Sequence, residues 1–469
     1  MMCSEALVTR HPASFRDPAG FIFESGGDLY RAVHPNAVAD VEALFSSGLH
    51  DKLVKAGLLV GHRRLANSHD FPEGWVVLQP DRLPVVSYAC EWTDAQLHAA
   101  ALLTLELQKQ ALRHGLTLKD ASSFNVQFAG SRPVFIDLLS FTHSRDDGAW
   151  VGYRQFCEHF LGPLALRRYI PGATAPSQAT LDGTPLALAA ALLPAATWLR
   201  PGLVLHLHLH ARATARRPSA AATPASARTG ASGNFGLQLV ESLTRTVQGL
   251  APRRRSSAWS DYRTNNTYSS VAADAKLAFL LEAVARATPG RAVDLGANDG
   301  HYARALAAHG VACTAVEVDS ACAEAIHACS LASPQAGLLN TLRVDLTNPT
   351  PSHGWAGTER ASFTERLRCD MSLSLALIHH LSIAHQVPFD AIASYLADLA
   401  PHAIVEYVPP DDPMALQLLA ARTGVTDSYL ATLSEAAFRD AFDARFECVA
   451  RSKSPEGGRI LHHFQRRSS

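Results

Sequence analysis

Residues 291–302 read Arg-Ala-Val-Asp-Leu-Gly-Ala-Asn-Asp-Gly-His-Tyr, and this stretch decides the fold of the C-terminal half. The apolar run that ends at Val293 predicts a β-strand, the small residues 294–300 predict a turn, and the spacing from Tyr302 onward predicts a helix. Because glycine has no Cβ, the backbone of such a turn can approach a nucleotide-like ligand closely at a helix N-terminus. The stretch therefore predicts a ligand-binding strand–turn–helix unit, against the alternative of an ordinary turn without a ligand.

Acidic residues end the next two predicted strands as well. Glu317 closes the run 312–317, where a carboxylate can bind the two hydroxyls of a ribose, and Asp345 follows the run 341–344, where it suits an adenine amino group. Asp294, at the start of the turn, suits a cationic amino group. The turn is Asp-x-Gly-x-Asn-x-Gly and not Gly-x-Gly-x-x-Gly, so it predicts no tight pyrophosphate cradle.

Over about residues 259–465 this order of motifs resembles the class I S-adenosylmethionine (SAM)-dependent methyltransferases. The resemblance implies SAM as the cofactor and a binding site made of Asp294, Gly296, Asn298, Gly300, Glu317 and Asp345. Asn298 stands where many members have glycine, and asparagine is the non-glycine residue type that enters the left-handed backbone region most readily.

The rest of this half alternates strands and helices, which is typical of a parallel sheet. Further strands are predicted near 369–375 and 402–408, and the last part, 446–464, reads as a hairpin across Pro455–Gly458. The predicted fold is α/β: a C-terminal Rossmann-like domain with a seven-stranded sheet, preceded by an α+β domain.

Three residues in this half are candidates for the chemistry of methyl transfer. His379 and His380 leave the fourth strand, at the sheet edge where ligands collect, and a histidine that titrates near neutrality can accept a proton. Adjacent residues face differently, so at most one of the two is expected to face the substrate, and the alternative is a structural histidine that orients the loop. Glu406, which follows three apolar residues, is a candidate second base or substrate anchor. Tyr262 and Tyr268 are candidates for a lid or for a plain N-terminal cap of the domain.

The N-terminal half carries a second group of candidate residues. Asp120, Asn125 and Asp137 have the order and spacing of the catalytic aspartate and the two metal-holding residues of protein-kinase-like folds. The resemblance covers about residues 13–200 and implies ATP and magnesium for this half. Leu118-Lys119 replaces the usual His-Arg, no Phe-Gly follows Asp137, and Arg31 is the nearest cation in place of a strand lysine. A working phosphotransferase and a degenerate module that positions the substrate both remain open.

Composition predicts a linker between the two halves. The domain boundaries are predicted as 13–205 for the kinase-like domain, 206–258 for a flexible Ala/Arg/Pro/Ser-rich linker containing an amphipathic helix at 235–250, and 259–469 for the methyltransferase domain. Eight arginines and one glutamate fall in 211–258, which suits an anionic partner such as nucleic acid, although a solvated linker is favoured. His206, His208 and His210 alternate with leucines, and a domain-edge segment is favoured there over a metal site.

The whole chain has 469 residues, a net charge of −1 and eight dispersed cysteines, which suits two or three domains in a reducing cytoplasm. No apolar run of spanning length and no leader are apparent, so neither a membrane span nor a signal peptide is expected. Oligomeric state is not predicted.

The order of kinase-like module, linker and methyltransferase resembles a bacterial family that includes nodulation-associated methyltransferases. The likeness is carried by Lys119–Phe128, Tyr153–Leu161, Trp259–Tyr268 and Ala376–Leu381. The predicted function is SAM-dependent methyl transfer to an oxygen or nitrogen of a small molecule or glycan. The alternatives are a bifunctional kinase–methyltransferase, and an RNA-modifying methyltransferase whose pseudokinase module binds the substrate.

Overall fold

A computed structural model of the chain describes residues 9–65, 71–144, 149–170, 180–215, 235–253, 257, 270–335, 337–455 and 457–467. The strands within them are β1 Thr9–Arg10, β2 Gly20–Ser25, β3 Asp28–Val33, β4 His62–Arg64, β5 Val76–Pro80, β6 Leu116–Leu118, β7 Val126–Ala129, β8 Arg132–Phe135, β9 Phe141–His143, β10 Arg291–Leu295, β11 Ala312–Glu317, β12 Leu339–Arg343, β13 Met371–Ser374, β14 His402–Tyr407, β15 Phe446–Lys453 and β16 Ile460–Arg466.

The α-helices are α1 Pro35–Ser46, α2 Leu49–Lys55, α3 Asp94–Arg113, α4 Tyr153–Phe156, α5 Gly162–Tyr169, α6 Leu186–Leu192, α7 Pro201–Leu203, α8 His210–Ala215, α9 Phe235–Gln248, α10 Ser270–Ala287, α11 His301–Ala308, α12 Ser320–Leu331, α13 Phe363–Arg366, α14 Phe389–Leu399, α15 Pro413–Ala420, α16 Asp427–Thr432 and α17 Glu435–Asp443. Three π-helical turns are Cys157–Leu161, Val204–Leu209 and His380–Ala384. Short 3₁₀ turns are Ala89–Glu91, Ser123–Asn125, Leu138–Ser140, Ala195–Leu199 and Trp355–Gly357.

The N-terminal half is built on a five-stranded antiparallel sheet in the order β1-β2-β3-β5-β4. Strands β2 and β3 form a hairpin joined by Gly26 and Gly27, whose φ angles of 60° and 86° need glycine. The long helix α3 begins at a capping box in which Thr93 and Gln96 exchange side-chain bonds with each other's backbone. Two short antiparallel pairs, β6-β9 and β7-β8, follow it.

The C-terminal half is built on a seven-stranded sheet in the order β12-β11-β10-β13-β14-β16-β15. The first five strands are parallel, and β16 lies antiparallel between β14 and β15. The alternating pattern thus predicted the α/β class correctly. Strand β11 lies on one side of β10, and the chain later returns to the other side of β10 as β13. The carboxyl ends of β10 and β13 therefore flank a crevice of the kind at which open α/β sheets bind ligands.

Part of the predicted linker is packed structure. Helix α9 occupies the range predicted as an amphipathic helix and buries Val240, Leu243 and Val247. It packs on α3, where His98 Nε2 lies 3.0 Å from the Val247 carbonyl oxygen. Residues 206–215 and 235–250 therefore belong to the packed N-terminal half, because their apolar faces are buried there.

The two halves are in direct contact. Ser131 Oγ, beside β8, donates to the carbonyl of Leu339 at 3.0 Å, and Glu324 of α12 accepts the N–H of Ala95 at 3.0 Å. The Arg366 guanidinium forms an ion pair with Glu91, and both side chains are almost completely buried. No helix in these described ranges is long and apolar enough to cross a membrane.

Candidate active site

A cavity of about 350 Å³ opens at the carboxyl ends of the parallel strands. Its wall includes five of the six residues predicted to hold a cofactor, together with His380: Asp294, Gly296, Asn298, Glu317, Asp345 and His380. Strands β10, β11 and β12 each end at this wall, which is why residues far apart in sequence meet there. Gly300, His379 and Glu406 are not part of the wall.

Asp294 carries the most informative feature of the wall. Its side chain is buried, its Oδ2 atom has no hydrogen-bond partner among the described residues, and the backbone of Ala303 bonds the carboxylate. Burial, reinforced by the nearby Glu317 and Asp299, raises the pKa of Asp294 to about 7. A buried carboxylate without a hydrogen-bond partner is costly unless a ligand supplies one. A cationic amino group would donate a hydrogen bond to Oδ2 and stabilise the ionised form of the carboxylate.

The turn after β10 brings its backbone to the cavity because three of its residues have positive φ. Gly296 and Gly300 both have a φ of 71°, and Asn298 has a φ of 49°, the left-handed region anticipated for it. A Cβ on Gly296 would come within 3.0 Å of Leu377, so the lack of a side chain there keeps the wall open. At Gly300 a Cβ would meet Ile326 of α12 at 3.0 Å, so this glycine serves helix packing and not the cavity.

Glu317 is fixed by the backbone on both oxygens. Its Oε2 accepts the N–H of Asn298 at 2.7 Å and its Oε1 accepts the N–H of Asp319 at 2.8 Å. Burial raises the pKa of Glu317, and these two bonds oppose the shift. Since each carboxylate oxygen has a second lone pair, the group remains able to accept two hydroxyls from the cavity.

Asp345 lies on the exposed side of the cavity. Its Oδ1 accepts both the N–H and the Oγ1–H of Thr347, at 2.9 and 2.7 Å, so the loop after β12 orients the carboxylate.

Of the two adjacent histidines, one lines the cavity. His380 lines the cavity and begins a π-helical turn after β13. Its pKa is lowered, chiefly by burial and to a smaller extent by the charge of His385. A neutral imidazole of this kind is able to accept a proton. His379 is turned into the protein, where burial lowers its pKa to about 3 and neither ring nitrogen has a partner among the described residues.

Glu406 is a buried anchor behind the wall. Its side chain is fully buried, and its Oε2 accepts Lys276 Nζ and the N–H of Ala376, each at 2.8 Å. Arg459 Nη1 lies 3.9 Å from Oε1. Ala376 has a φ of 50° in the loop after β13, so the Glu406 carboxylate holds a strained residue of the cavity wall in place. This geometry does not present Glu406 to a substrate.

Lys276, which lines the cavity from α10, was missed by the sequence reasoning. Its spacing relative to Ala272, Leu280 and Ala283 places it on the buried stripe of that helix, and a lysine on such a stripe is the available signal. The candidate lid residues Tyr262 and Tyr268 lie outside the described residues.

The second group of candidate residues forms one hydrogen-bonded cluster in the N-terminal half. Asn125 Nδ2 donates to Ser140 Oγ at 3.1 Å, and Ser140 Oγ donates to Asp137 Oδ2 at 2.6 Å. The Arg31 guanidinium donates to Asp137 Oδ1 at 2.6 Å. Burial raises the pKa of Asp120, which also bonds Asn125. The three predicted residues are thus brought together, and the Arg31 guanidinium on Asp137 supplies a positive charge that would oppose a magnesium ion on the same carboxylate.

The C-terminal half reaches this cluster through Arg360. Its guanidinium lies 4.3 Å from the centre of the Phe124 ring, and its charge acts on Asp120 and on His159. The neighbouring Glu359 pairs with Arg16 of the N-terminal half at 2.7 Å.

Comparison with known proteins decides the family. The chain is 33% identical to nodulation protein NoeA of Rhizobium meliloti (strain 1021) over 481 residues, which cover 99% of both chains. The chain belongs to the NoeA family. The likeness to nodulation-associated proteins that the sequence indicated is thereby confirmed.

No protein-family model matches this NoeA-family chain. Among solved structures, it is similar to WbdD bound to the kinase inhibitor LY294002, with 13% identity, 44% of this chain and 43% of that chain covered, and a TM-score of 0.32. It is also similar to the N-methyltransferase NodS of Bradyrhizobium japonicum WM9 in complex with S-adenosyl-L-homocysteine, with 10% identity, 44% and 92% covered, and a TM-score of 0.32.

The histidines of the NoeA-family chain at 206–210 serve structure. His206 bonds Tyr153 through Nδ1 at 2.9 Å and Ser242 through Nε2 at 2.8 Å. His208 Nε2 lies 2.9 Å from Thr197 Oγ1, and His210 stacks on Tyr153. Within the described part of the chain no group of three or more His, Cys, Asp or Glu side chains is arranged to hold a metal.

Proposed function

We propose that the protein is a SAM-dependent methyltransferase that acts on an oxygen or nitrogen of a small molecule or glycan. The observation that carries the proposal is the unsatisfied Asp294 carboxylate in the cavity wall, next to the fixed carboxylate of Glu317. The strand order, with an antiparallel last pair, matches the class I methyltransferases that the sequence resembles.

The residues present fit this cofactor. Asp294 would bind the amino group, Glu317 the ribose hydroxyls and Asp345 the adenine amino group, while Gly296 and Asn298 leave room for close approach of the backbone. When bound, SAM supplies an electrophilic methyl group on its sulfonium. A nucleophile must then be held in line with that methyl, away from water.

His380 is the proposed base. It lies on the wall at the end of β13, and its lowered pKa keeps it neutral at physiological pH, so it is able to take the proton of a hydroxyl or ammonium acceptor. Glu406 and Lys276 are positioning residues in this proposal, since they hold Ala376 at the start of the loop that carries His380.

Calorimetric titration of the full chain with S-adenosyl-L-homocysteine tests the proposal. Binding to the wild-type chain is expected, with a loss of affinity in Asp294→Asn and none in Asp398→Asn, a matched change at an exposed site on α14. His380→Ala is expected to keep the cofactor affinity within a few-fold while methyl transfer falls about 10²–10⁴-fold. No binding to the wild-type chain would remove the proposal.

The clustering of Asp120, Asn125 and Asp137 supports a second candidate, a bifunctional enzyme that also phosphorylates the acceptor with ATP and magnesium. The Arg31–Asp137 pair does not fit a magnesium ion in this arrangement and favours a substrate-positioning module. ATP turnover that requires magnesium and is abolished by Asp137→Ala would establish the bifunctional enzyme. Its absence would leave the positioning role.

The nucleic-acid alternative depends on the arginines of 211–258, most of which lie outside the described residues, and it stays a prediction. Salt-dependent RNA binding that is lost on deletion of this stretch would support it. The cytoplasmic location and the domain boundaries also stay predictions.

A further inference from the structure

Helix α6 is apolar on every side, and yet half of it is exposed. Its sequence, Leu-Ala-Leu-Ala-Ala-Ala-Leu, contains no polar side chain. Leu186 and Ala189 are buried against the N-terminal half, while Leu188 and Leu192 face outward with more than 40% of their surface exposed. A helix with no polar face is normally covered all round, and within the described parts of the chain the outward side of α6 is left uncovered.

The exposed apolar surface continues on the two segments packed beside α6. The 3₁₀ turn Ala195–Leu199 and the π-helical turn Val204–Leu209 are joined by the stacking of Trp198 on His208, with ring centres 4.3 Å apart. Both segments add exposed side chains. We name the whole set the apolar ridge: Leu188, Leu192, Trp198, Leu199, Leu205 and Leu209.

The apolar ridge is unusual for this molecule. Sixteen large apolar residues are exposed in the described parts of the chain, and six of them fall in these 22 positions. Leu199 is 83% exposed, the highest value of the sixteen. Clustered exposure of this kind marks a binding surface, because soluble chains otherwise scatter such residues singly.

Positive charge borders the apolar ridge. Arg200 and Arg212 are exposed, and the Arg212 guanidinium lies 4.5 Å from the centre of the Trp198 ring. From residue 183 to residue 253 the sequence has seven arginines, no lysine and a single acid, Glu241, although the whole chain has a net charge of −1. Among the described residues, Arg200 and Arg212 therefore place positive charge beside the exposed apolar side chains.

The combination of exposed apolar side chains and arginines distinguishes between two possible partners, a second copy of the chain and a lipid surface. A second copy docked by two-fold symmetry would bring two copies of this positively charged patch into one interface, which is unfavourable. An anionic lipid surface neutralises the arginines and takes up the leucines and the tryptophan, as in-plane membrane-binding segments do. We propose that the apolar ridge binds an anionic membrane surface, with Arg200 and Arg212 at the headgroups, so that the chain lies on the membrane without spanning it.

Vesicle co-sedimentation of the full chain tests this inference, with phosphatidylcholine vesicles compared with vesicles that also contain phosphatidylglycerol. Stronger binding to the anionic vesicles, weakened by salt, is expected. Leu188→Gln/Leu192→Gln/Leu199→Gln is expected to weaken it by roughly tenfold or more. Arg200→Gln/Arg212→Gln is expected to weaken it roughly fivefold for each arginine. The control Leu416→Gln/Val425→Gln changes exposed apolar residues elsewhere and should bind like the wild type.

S-adenosyl-L-homocysteine titration and thermal unfolding of each variant show whether it is folded. The arginine variant changes only exposed side chains, so it keeps the test valid if the leucine variant unfolds. The inference would be overturned if all variants co-sedimented equally with the anionic vesicles, or if the wild-type chain did not co-sediment with them. So would a wild-type dimer in sedimentation velocity that the leucine variant converts to a monomer without any vesicle binding, because the second copy would then be the occupant.

Discussion

Replacing Asp294 by asparagine should weaken cofactor binding and at the same time stabilise the cofactor-free chain. The pKa of this carboxyl is raised from its ordinary 3.8 to about 7, chiefly by burial. At 1.36 kcal/mol for each pH unit, that difference corresponds to at most about 4 kcal/mol of unfavourable ionisation above pH 7. Asparagine removes this cost but leaves a buried amide donor without a hydrogen-bond partner, which costs about 1–3 kcal/mol. We expect a net gain of about 1–3 kcal/mol at pH 8.

The sign of the pH dependence follows from the direction of the shift. The folded chain binds the Asp294 proton more tightly than the unfolded chain, so this residue destabilises the fold progressively as the pH rises from about 4 to about 7. Asp294→Asn should therefore give no gain, or a small loss, near pH 4.5 and reach its full gain at pH 8. For a domain of about 200 residues, a gain of this size raises the melting temperature by roughly 2–10 °C.

Two measurements on the same variant decide the matter. Calorimetric titration with S-adenosyl-L-homocysteine should show an affinity at least about 30-fold lower, because a buried charge-assisted hydrogen bond is lost. Denaturant unfolding without ligand should show the pH-dependent gain, and Asp398→Asn should show neither effect. A variant that binds the ligand as the wild type does, or that is less stable at pH 8, would refute the role assigned to this carboxylate.

Three further outcomes follow from the buried charges. In the wild-type chain the affinity for S-adenosyl-L-homocysteine should fall by roughly 25-fold between pH 7.5 and pH 5.5, since Asp294 must lose its proton to bind a cation, and titration calorimetry of Asp294→Asn should show a flatter profile. Lys276→Met should destabilise the chain by about 3–5 kcal/mol in denaturant unfolding, because the buried Glu406 loses the cation at 2.7 Å and keeps the more distant Arg459, and Lys276→Met/Glu406→Leu should recover most of the loss. Arg366→Ala should cost a similar amount by leaving Glu91 unpaired, and limited proteolysis should then separate the two halves, whereas unchanged stability would show that this pair does not join them.

Much of the C-terminal half was predictable because the information is local. Each of its seven strands lies within two residues of the predicted range at both ends, since apolar runs bounded by turns are read directly from the sequence. The strand-end positions of Asp294, Glu317 and Asp345 were readable for the same reason. Their meeting at one wall follows from the parallel arrangement and needs no side-chain detail.

The parts that were not predictable depend on distant partners or on local turns. The sequence predicts Glu406 as a candidate base because it is an acid in an apolar strand. Its partner Lys276 lies 130 residues away, so the sequence alone does not reveal that the carboxylate is paired. The choice between His379 and His380 is made by a π-helical turn, which no periodicity in the sequence revealed. The packing of α9 on α3 likewise depends on the tertiary structure, which composition alone does not reveal.

The segment 350–366 of the C-terminal half argues against two independent modules joined by a tether. Three of its side chains meet partners in the N-terminal half: Glu359 pairs with Arg16, Arg366 pairs with Glu91, and Arg360 lies over the Phe124 ring close to Asp120. Buried charges of this kind are costly once their partner is removed, so separation of the halves would leave at least the Glu91–Arg366 pair uncompensated. The cluster around Asp120 is therefore completed by a cation from the half that contains the cavity.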